Sequence, residues 1–459
     1  MRETKMWSKF LSLFVVLGLI ATACGSAAVE EAAPATEAVE ETVAVEEAVA
    51  EEEPTEAADT ETVAAEVAVE EEAEVEELPG ASEEENQAAL AAEIEAVFTA
   101  WQQEAGIPGA SLSVRLPGQD PIAFGAGVTD IVSGEAVTPD DFFRIGSITK
   151  PMTAALVLQL VDEGLIELDE PVDTYIPGWL AGHEFASEIT VRQLMNHTNG
   201  LIEYAFDPGF YSLVSDRLDT PLESEELFDF LASTEPLFEP GTAYSYETGG
   251  FFTLGDVIET VTGNSAAEEM RARIFEPAGA DNIFLAPQEQ PPESVVNGYG
   301  RDLLYVAGTA LIGRADTDGL TVDNSVRDGD PVIDTLGQPQ EFLRSAGWTG
   351  GGAEAQLESV SAVFKALFDG TILTDEQIAE MTTTVFDANY GLGLGVDEID
   401  GVLVYSHGGG VPGFRSQANY LPDLDITWAV SANLIPLPDG ADVSQLRADL
   451  LPLLVDTAG

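Results

Sequence analysis

Residues 84–105, EEENQAALAAEIEAVFTAWQQE, carry apolar side chains at helical spacing and stop before GIPG, which predicts an opening helix. Two alternating runs follow, ASLSVRL and PIAFGAGVTD; joined by PGQD, they predict a hairpin. From Ser147 a second helix is expected through TAALVLQLVDEG, apolar on most sides and therefore buried. Between about residues 165 and 290 the helix patterns TVRQLMNH, SEELFDFLAS and FFTLGDVIETVTG alternate with Pro and Gly turns. The pattern then returns to strands in VLVYSHGGG, RSQANYLP and ITWAVSANL, before a last helix, VSQLRADLLPLLVDTA. Strands at both ends with helices between them predict an α+β fold, in which the N- and C-terminal parts form one antiparallel sheet flanked by helices and a mostly helical lobe is inserted.

The N-terminal part does not follow these patterns. Residues 1–24 carry Arg2, Lys5 and Lys9, then the uncharged run FLSLFVVLGLIATA up to Cys24. That run is shorter than the roughly 20 residues of a spanning helix and reads as the core of a signal peptide. Its end resembles the lipobox of bacterial lipoproteins, with Ala21 where that pattern prefers leucine, and implies lipidation of Cys24. The alternative is a secreted protein whose Cys24 leaves with the peptide. Cys24 is the only cysteine, so the domain that follows forms no internal disulfide and depends on a packed core. Residues 25–86 are nearly all Ala, Glu, Val, Thr and Pro, and residues 25–90 hold 23 acidic side chains and no Lys or Arg. One-signed charge at that density lacks the basic partners that would support a helix, so an extended, disordered tether is expected, with a span of about 45 Å by the square-root rule and more when charge stretches it.

Residues 87–459 form the expected catalytic domain. They hold 59 acidic and 14 basic side chains, a net charge of about −45. Such a field repels nucleic acid and anionic lipid and suits solubility. The chain has only four lysines, Lys5, Lys9, Lys150 and Lys365, and Lys150 follows Ser147 by three residues in FRIGSITKPMTAAL. A serine hydroxyl needs a base within hydrogen-bond reach to become a nucleophile, and positions three apart share one face of a helix. Pro151 is tolerable in a first helical turn. A helix cap followed by a surface lysine would give the same spacing.

The surrounding text adds to the pair. IGSITKPMTAALVLQLVDEGLIELDEPVDTYIPGW and ITVRQLMNHTNGL resemble the serine penicillin-recognising family, which comprises class C β-lactamases, D-alanyl-D-alanine carboxypeptidases and related esterases; the carboxypeptidase branch is the most similar. The resemblance resumes at PGTAYSYETGGFFTLGDVIETVTGNS, RIFEPAGADNIFLA, NYGLGLGV and YSHGGGVPGF, covering residues 90–435, while about 300–345 match nothing nameable. It implies the β-lactamase/transpeptidase-like fold, an α/β sandwich, and an acyl-enzyme on Ser147 with Lys150 as its partner. It implies that Tyr246 passes a proton to the leaving group, with either Lys150 or Tyr246 as the acylation base. His407, Gly408 and Gly409 stand where other members have Lys-Thr-Gly, and the backbone N–H of Gly410 would join that of Ser147 in an oxyanion hole, worth roughly 3 kcal/mol per donor. Thr248 replaces the asparagine two residues after the tyrosine, so one short hydroxyl stands where an amide would both donate to and accept from a substrate amide. The resemblance implies amide hydrolysis of the D-alanyl-D-alanine carboxypeptidase or β-lactamase kind, and Thr248 counts against peptide and β-lactam substrates. Hydrolysis of small esters, or non-catalytic binding of cell-wall fragments, are the alternatives.

His197 in NHTNG is expected in a locally bonded turn, His183 is expected to be exposed, and Arg415 to be a solvated charge unless it meets a substrate carboxylate. Ser147 lacks the Gly-x-Ser-x-Gly setting of an α/β-hydrolase. The three histidines have no His-Glu-x-x-His spacing, and no glycine-rich loop opens a helix in a βαβ setting. No metal and no cofactor are expected. A monomer with a small-molecule or peptide substrate is expected, on the outer face of the cell membrane or in the periplasm, touching the membrane only through its lipid.

Overall fold

The computed structural model describes residues 83–214, 220–300, 322–323, 332–334, 340–435, 437 and 442–456. The predicted signal peptide with Cys24, the tether apart from its last residues, and most of 300–345 lie outside the described residues. The chain falls into two units by contact: Ala27–Gln87, described only as the start of a helix, and a larger unit holding everything from Ala88 onward.

Helix α1, Glu83–Ala105, ends at Gly106, whose φ of +60° suits a left-handed cap. Strands β1 (Gly109–Arg115), β2 (Ile122–Gly127) and β3 (Phe143–Arg144) follow. The helical lobe comprises α2 (Thr149–Asp162), α3 (Val191–Met195), α4 (Pro208–Val214), α5 (Ser224–Ala232), α6 (Gly249–Thr262) and α7 (Ala266–Met270). Next come β4 (Ile283–Leu285), β5 (Tyr299–Gly300), β6 (Val322–Asp323), β7 (Val332–Asp334), α8 (Gln340–Gly351), β8 (Ala353–Ala355), α9 (Leu357–Phe368) and α10 (Asp375–Thr382). The chain closes with β9 (Gly395–Ile399), β10 (Val402–Val411), β11 (Phe414–Leu421), β12 (Ile426–Ala432), β13 (Leu434–Ile435) and α11 (Val443–Asp456).

The main sheet has the order β2-β1-β12-β11-β10-β9, antiparallel throughout, so the N-terminal hairpin pairs directly with the last long strand through Ala110 opposite Ala432. Alternation along these strands sends side chains to two cores. Leu112, Val114, Trp428 and Val430 meet Ile94, Phe98 and Trp101 of α1 and Leu446 and Leu450 of α11. On the other face Ala418, Tyr420 and Ala429 meet α9 through Val360, Val363 and Phe364, in a core that continues into the helical lobe. Ser113 faces this side as well, its hydroxyl 2.9 Å from that of Ser361 on α9. This is the α+β arrangement expected, with α2 buried as predicted from Thr149 to Leu158. Among the described residues no helix is long and apolar enough to cross a membrane.

The layer of α1 and α11 stabilises the sheet without reaching the second core. Leu450→Ala is expected to cost about 2–5 kcal/mol in a urea titration, because it opens a cavity at a fully buried position. Turnover per folded molecule should be unchanged.

Candidate active site

Ser147 lies in a 3₁₀ turn, Gly146–Ile148, which runs directly into α2. The turn is pinned from several sides. Ile145 N–H donates to Ala353 O on β8 at 3.1 Å, and Ser416 Oγ on β11 donates to Ile145 O at 2.7 Å. Thr149 Oγ1 donates to Gly146 O at 2.7 Å and accepts from Ala353 N–H at 3.2 Å. The turn also touches β10 backbone to backbone. Gly146 has φ +54°, and a Cβ there would stand 2.9 Å from Gly410 N; a Cβ on Gly409 would stand 2.0 Å from Ile145 O. Only glycine permits that approach. It brings the Gly409–Gly410 backbone beside the serine turn, where the family resemblance implies an oxyanion hole.

Lys150, one turn into α2, is fully buried. Its Nζ lies 3.2 Å from Ser147 Oγ and donates to Gly350 O at 2.7 Å. The same nitrogen lies 5.0 Å from the ring centre of Tyr246 and 5.5 Å from that of Phe251. The structure thus gathers Ser147, Lys150 and Tyr246 from segments separated by a hundred residues. Behind Tyr246 the His197 ring sits 4.4 Å away between centroids, with Tyr390 and His407 completing an aromatic cluster.

Three site residues escape sequence reasoning: Glu203, Glu247 and Tyr390. Glu247 is fully buried, accepts from Gly250 N–H at 2.7 Å and from Asn199 Nδ2 at 2.9 Å, and so caps the start of α6. Desolvation raises its carboxyl to about 7 against those hydrogen bonds. Glu203, which keeps a partly exposed edge, is likewise raised to about 7, first by desolvation and then by repulsion from Glu247. A carboxylate two residues ahead of the apolar run GGFFTL was the signal available for Glu247.

The other predicted residues fall as follows. Gly410 is exposed on β10 opposite Arg415, and His407 is buried one strand turn away. Thr248 directs its hydroxyl away from a substrate role, donating to Glu203 Oε2 at 2.9 Å. His197 sits in the locally bonded turn expected, with Thr198 Oγ1 donating to Asn196 Oδ1 and Leu201 N–H to Asn199 Oδ1, while at φ +59° its ring reaches Tyr246 and Tyr390 across the fold. Two expectations are corrected. His183 is buried at 7% exposure, its Nδ1 accepting from Phe185 N–H at 3.2 Å, because the loop around it folds inward. Arg415 is not a solvated charge; with 11% side-chain exposure it pairs with Asp442 at 3.5 Å and donates to Gly409 O at 3.4 Å. The β10–β11 hairpin lays its guanidinium along the glycines. Among the described residues no group of three or more His, Cys, Asp or Glu side chains is arranged to hold a metal.

Residues 94–451 match the family model described as Beta-lactamase. Penicillin-binding protein 4 of Amycolatopsis lactamdurans is 35% identical over 193 residues, which cover 42% of this chain and 48% of that protein. Esterase EstB of Burkholderia gladioli is 32% identical over 200 residues, covering 42% of this chain and 50% of the esterase. The crystal structure of a D-stereospecific amidohydrolase from Streptomyces sp. is similar at a TM-score of 0.62 and 29% identity, covering 78% of this chain and 97% of that one. The chain spans about half the length of these two curated relatives.

Glu247 makes stability depend on pH. Its folded carboxyl titrates near 7, above its unfolded value of 4.5, so its contribution is complete below the lower value and is lost as pH rises through the higher. Glu247→Gln keeps an acceptor for Gly250 and removes the titration. Wild type is expected to lose roughly 1–3 kcal/mol more than this variant between pH 5 and pH 8, read from urea midpoints.

Proposed function

The chain belongs to the Beta-lactamase family, and we propose that it is an exported serine hydrolase, anchored by a lipid on Cys24, that forms an acyl-enzyme on Ser147 from D-alanyl peptides or related amides. The observation that carries this reading is Lys150, an amine with no exposed surface whose Nζ lies 3.2 Å from Ser147 Oγ. A helix cap with a surface lysine would leave that amine in water.

The geometry supports a two-step reaction. A neutral Lys150 amine can donate to Gly350 O and turn its lone pair to the Ser147 hydroxyl. Ser147 Oγ then bonds to the substrate carbonyl carbon as its proton passes to the Lys150–Tyr246 pair. The carbonyl oxygen gains negative charge beside the backbone N–H groups of Ser147 and Gly410, where fixed donors stabilise it most. The C–N bond breaks as the amine leaves with a proton from that pair, and water reverses the sequence to free Ser147. No metal or organic cofactor takes part in this scheme, and the acidic surface opposes any nucleic-acid partner. The substrate is a small molecule or peptide, and the enzyme works as a monomer.

Ester hydrolysis is the second reading, favoured by Thr248. Its hydroxyl is committed to Glu203, so position 248 offers no side-chain amide to hold a substrate's amide group.

Intact-mass measurement after brief exposure to benzylpenicillin, a D-alanyl-D-alanine peptide and p-nitrophenyl butyrate tests both readings. Wild type should gain an acyl adduct that Ser147→Ala lacks, and Lys150→Ala should slow acylation by roughly 10²–10⁴-fold. Turnover of the ester alone would select the second reading, and silence with every probe would point to a binding protein. For the anchor, Cys24→Ser should move the protein from the membrane pellet to the soluble fraction; an unchanged distribution would remove the lipid from the proposal.

A further inference from the structure

Beyond Ser147 and Lys150, four hydrogen bonds run in series through the cluster behind Tyr246. Glu247 N–H donates to His197 Nδ1 at 3.4 Å, and His197 Nε2 lies 3.2 Å from the Tyr390 hydroxyl. That hydroxyl lies 2.9 Å from His407 Nε2, and His407 Nδ1 lies 2.6 Å from Gly408 O. Both ends of the series are backbone groups with fixed roles. An amide N–H only donates, so His197 Nδ1 bears the lone pair and its proton sits on Nε2. A carbonyl only accepts, so His407 carries its proton on Nδ1 and offers Nε2 as acceptor. A hydroxyl has one proton and two lone pairs; Tyr390 therefore accepts from His197 and donates to His407. With neutral imidazoles this is the one assignment that satisfies all four contacts.

Neutrality follows from the surroundings. Burial is the first cause that holds His197 well below the ordinary histidine value and pushes His407 down to about 3, and Lys150 adds to it only while its amine is protonated. The groups facing the pair are Lys150 and Arg415 on the cationic side, Glu247 on the acidic side, and the Tyr244 and Tyr246 rings. Tyr390 itself is 6% exposed, and its loop is tied down by Val385 N–H on Tyr390 O at 3.1 Å and by Gly393 N–H on Met195 O at 2.9 Å.

We propose that Tyr390 is a positioning residue for the Ser147 reaction, locking two imidazoles in opposite tautomers so that the wall carrying Tyr246 and the strand carrying Gly408–Gly410 keep one fixed separation. One end of the series is the residue next to Tyr246, and the other lies two residues before Gly410. The proposal rests on the hydrolase reading for its consequence, while the tautomers themselves do not.

The test is imidazole NMR on the full chain labelled with ¹⁵N-histidine, joined to kinetics. The chain has three histidines, and His183→Gln removes the signal of the one outside the series. Wild type should show His197 as the Nε2–H tautomer and His407 as the Nδ1–H tautomer, both unchanged from about pH 5 to about pH 8. Tyr390→Phe keeps the ring and deletes both central bonds. It should replace fixed tautomers by averaged ones and lower kcat on p-nitrophenyl butyrate roughly 10- to 100-fold, with KM within about twofold. An Nε2–H tautomer for His407, or titration of either ring in that range, overturns the series from wild-type spectra alone. Unchanged kcat in Tyr390→Phe, with the tautomers lost, overturns the positioning role. A wild type without turnover on any ester or amide would sink the hydrolase reading and the positioning with it, yet the tautomers would still report on the series.

Discussion

Two stretches of bare backbone touch, and the site depends on that contact. Gly146 in the serine turn and Gly409 in β10 lie so close to the opposite segment that a methyl group on Gly146 would press on the Gly409–Gly410 backbone, and one on Gly409 would collide with Ile145 O. The closeness lets an N–H from the strand share a space with the serine. It is held by groups that do no chemistry: the Ser416 hydroxyl on Ile145 O, the Thr149 hydroxyl, and the β8 backbone. Side-chain positions then follow from backbone placement. Lys150 reaches Ser147 because α2 starts where the turn ends, and its amine is steadied by Gly350 O.

Much of this was legible in the sequence because its contacts are local or periodic. The opening helix, the hairpin, α2, α6, the three long C-terminal strands and the final helix all lie where periodicity puts them. Ser147 and Lys150 are legible as a pair because three residues of helix bring them together. Glu203 and Tyr390 were not, since their roles arise from contacts between distant segments, and of Glu247 only the local cap on Gly250 leaves a trace in the sequence. His197 and Tyr390 meet across 193 residues, and no spacing rule spans that distance. Arg415 and His183 misled for a related reason. An isolated charged or polar residue reads as solvated, and only the folded neighbours, Asp442 for the one and the Phe185 loop for the other, show otherwise.

Charge is distributed unevenly between surface and interior. The basic side chains of the folded part are largely spoken for: Arg144 and Arg344 share Glu354, Arg192 bridges Asp169 and Glu380, and Lys365 holds Asp425 and Asp369. Among the described residues many of the other carboxylates are exposed and repel one another, a cost that added salt screens. Inside, the two raised carboxyls and two suppressed imidazoles keep ionised groups scarce around Lys150. Chemistry that depends on a lysine's proton gains from such quiet surroundings.

The pairing of β1 with β12 also sets a clock. The serine turn leaves the ribosome early, yet Gly410, the backbone that would receive charge from its reaction, follows 263 residues later. At ordinary rates of synthesis that interval lasts roughly 13–50 s. Through all of it the nascent chain holds a serine without the strand that packs beside it and a sheet without its centre. A polypeptide in that condition cannot close its core until the last strands arrive.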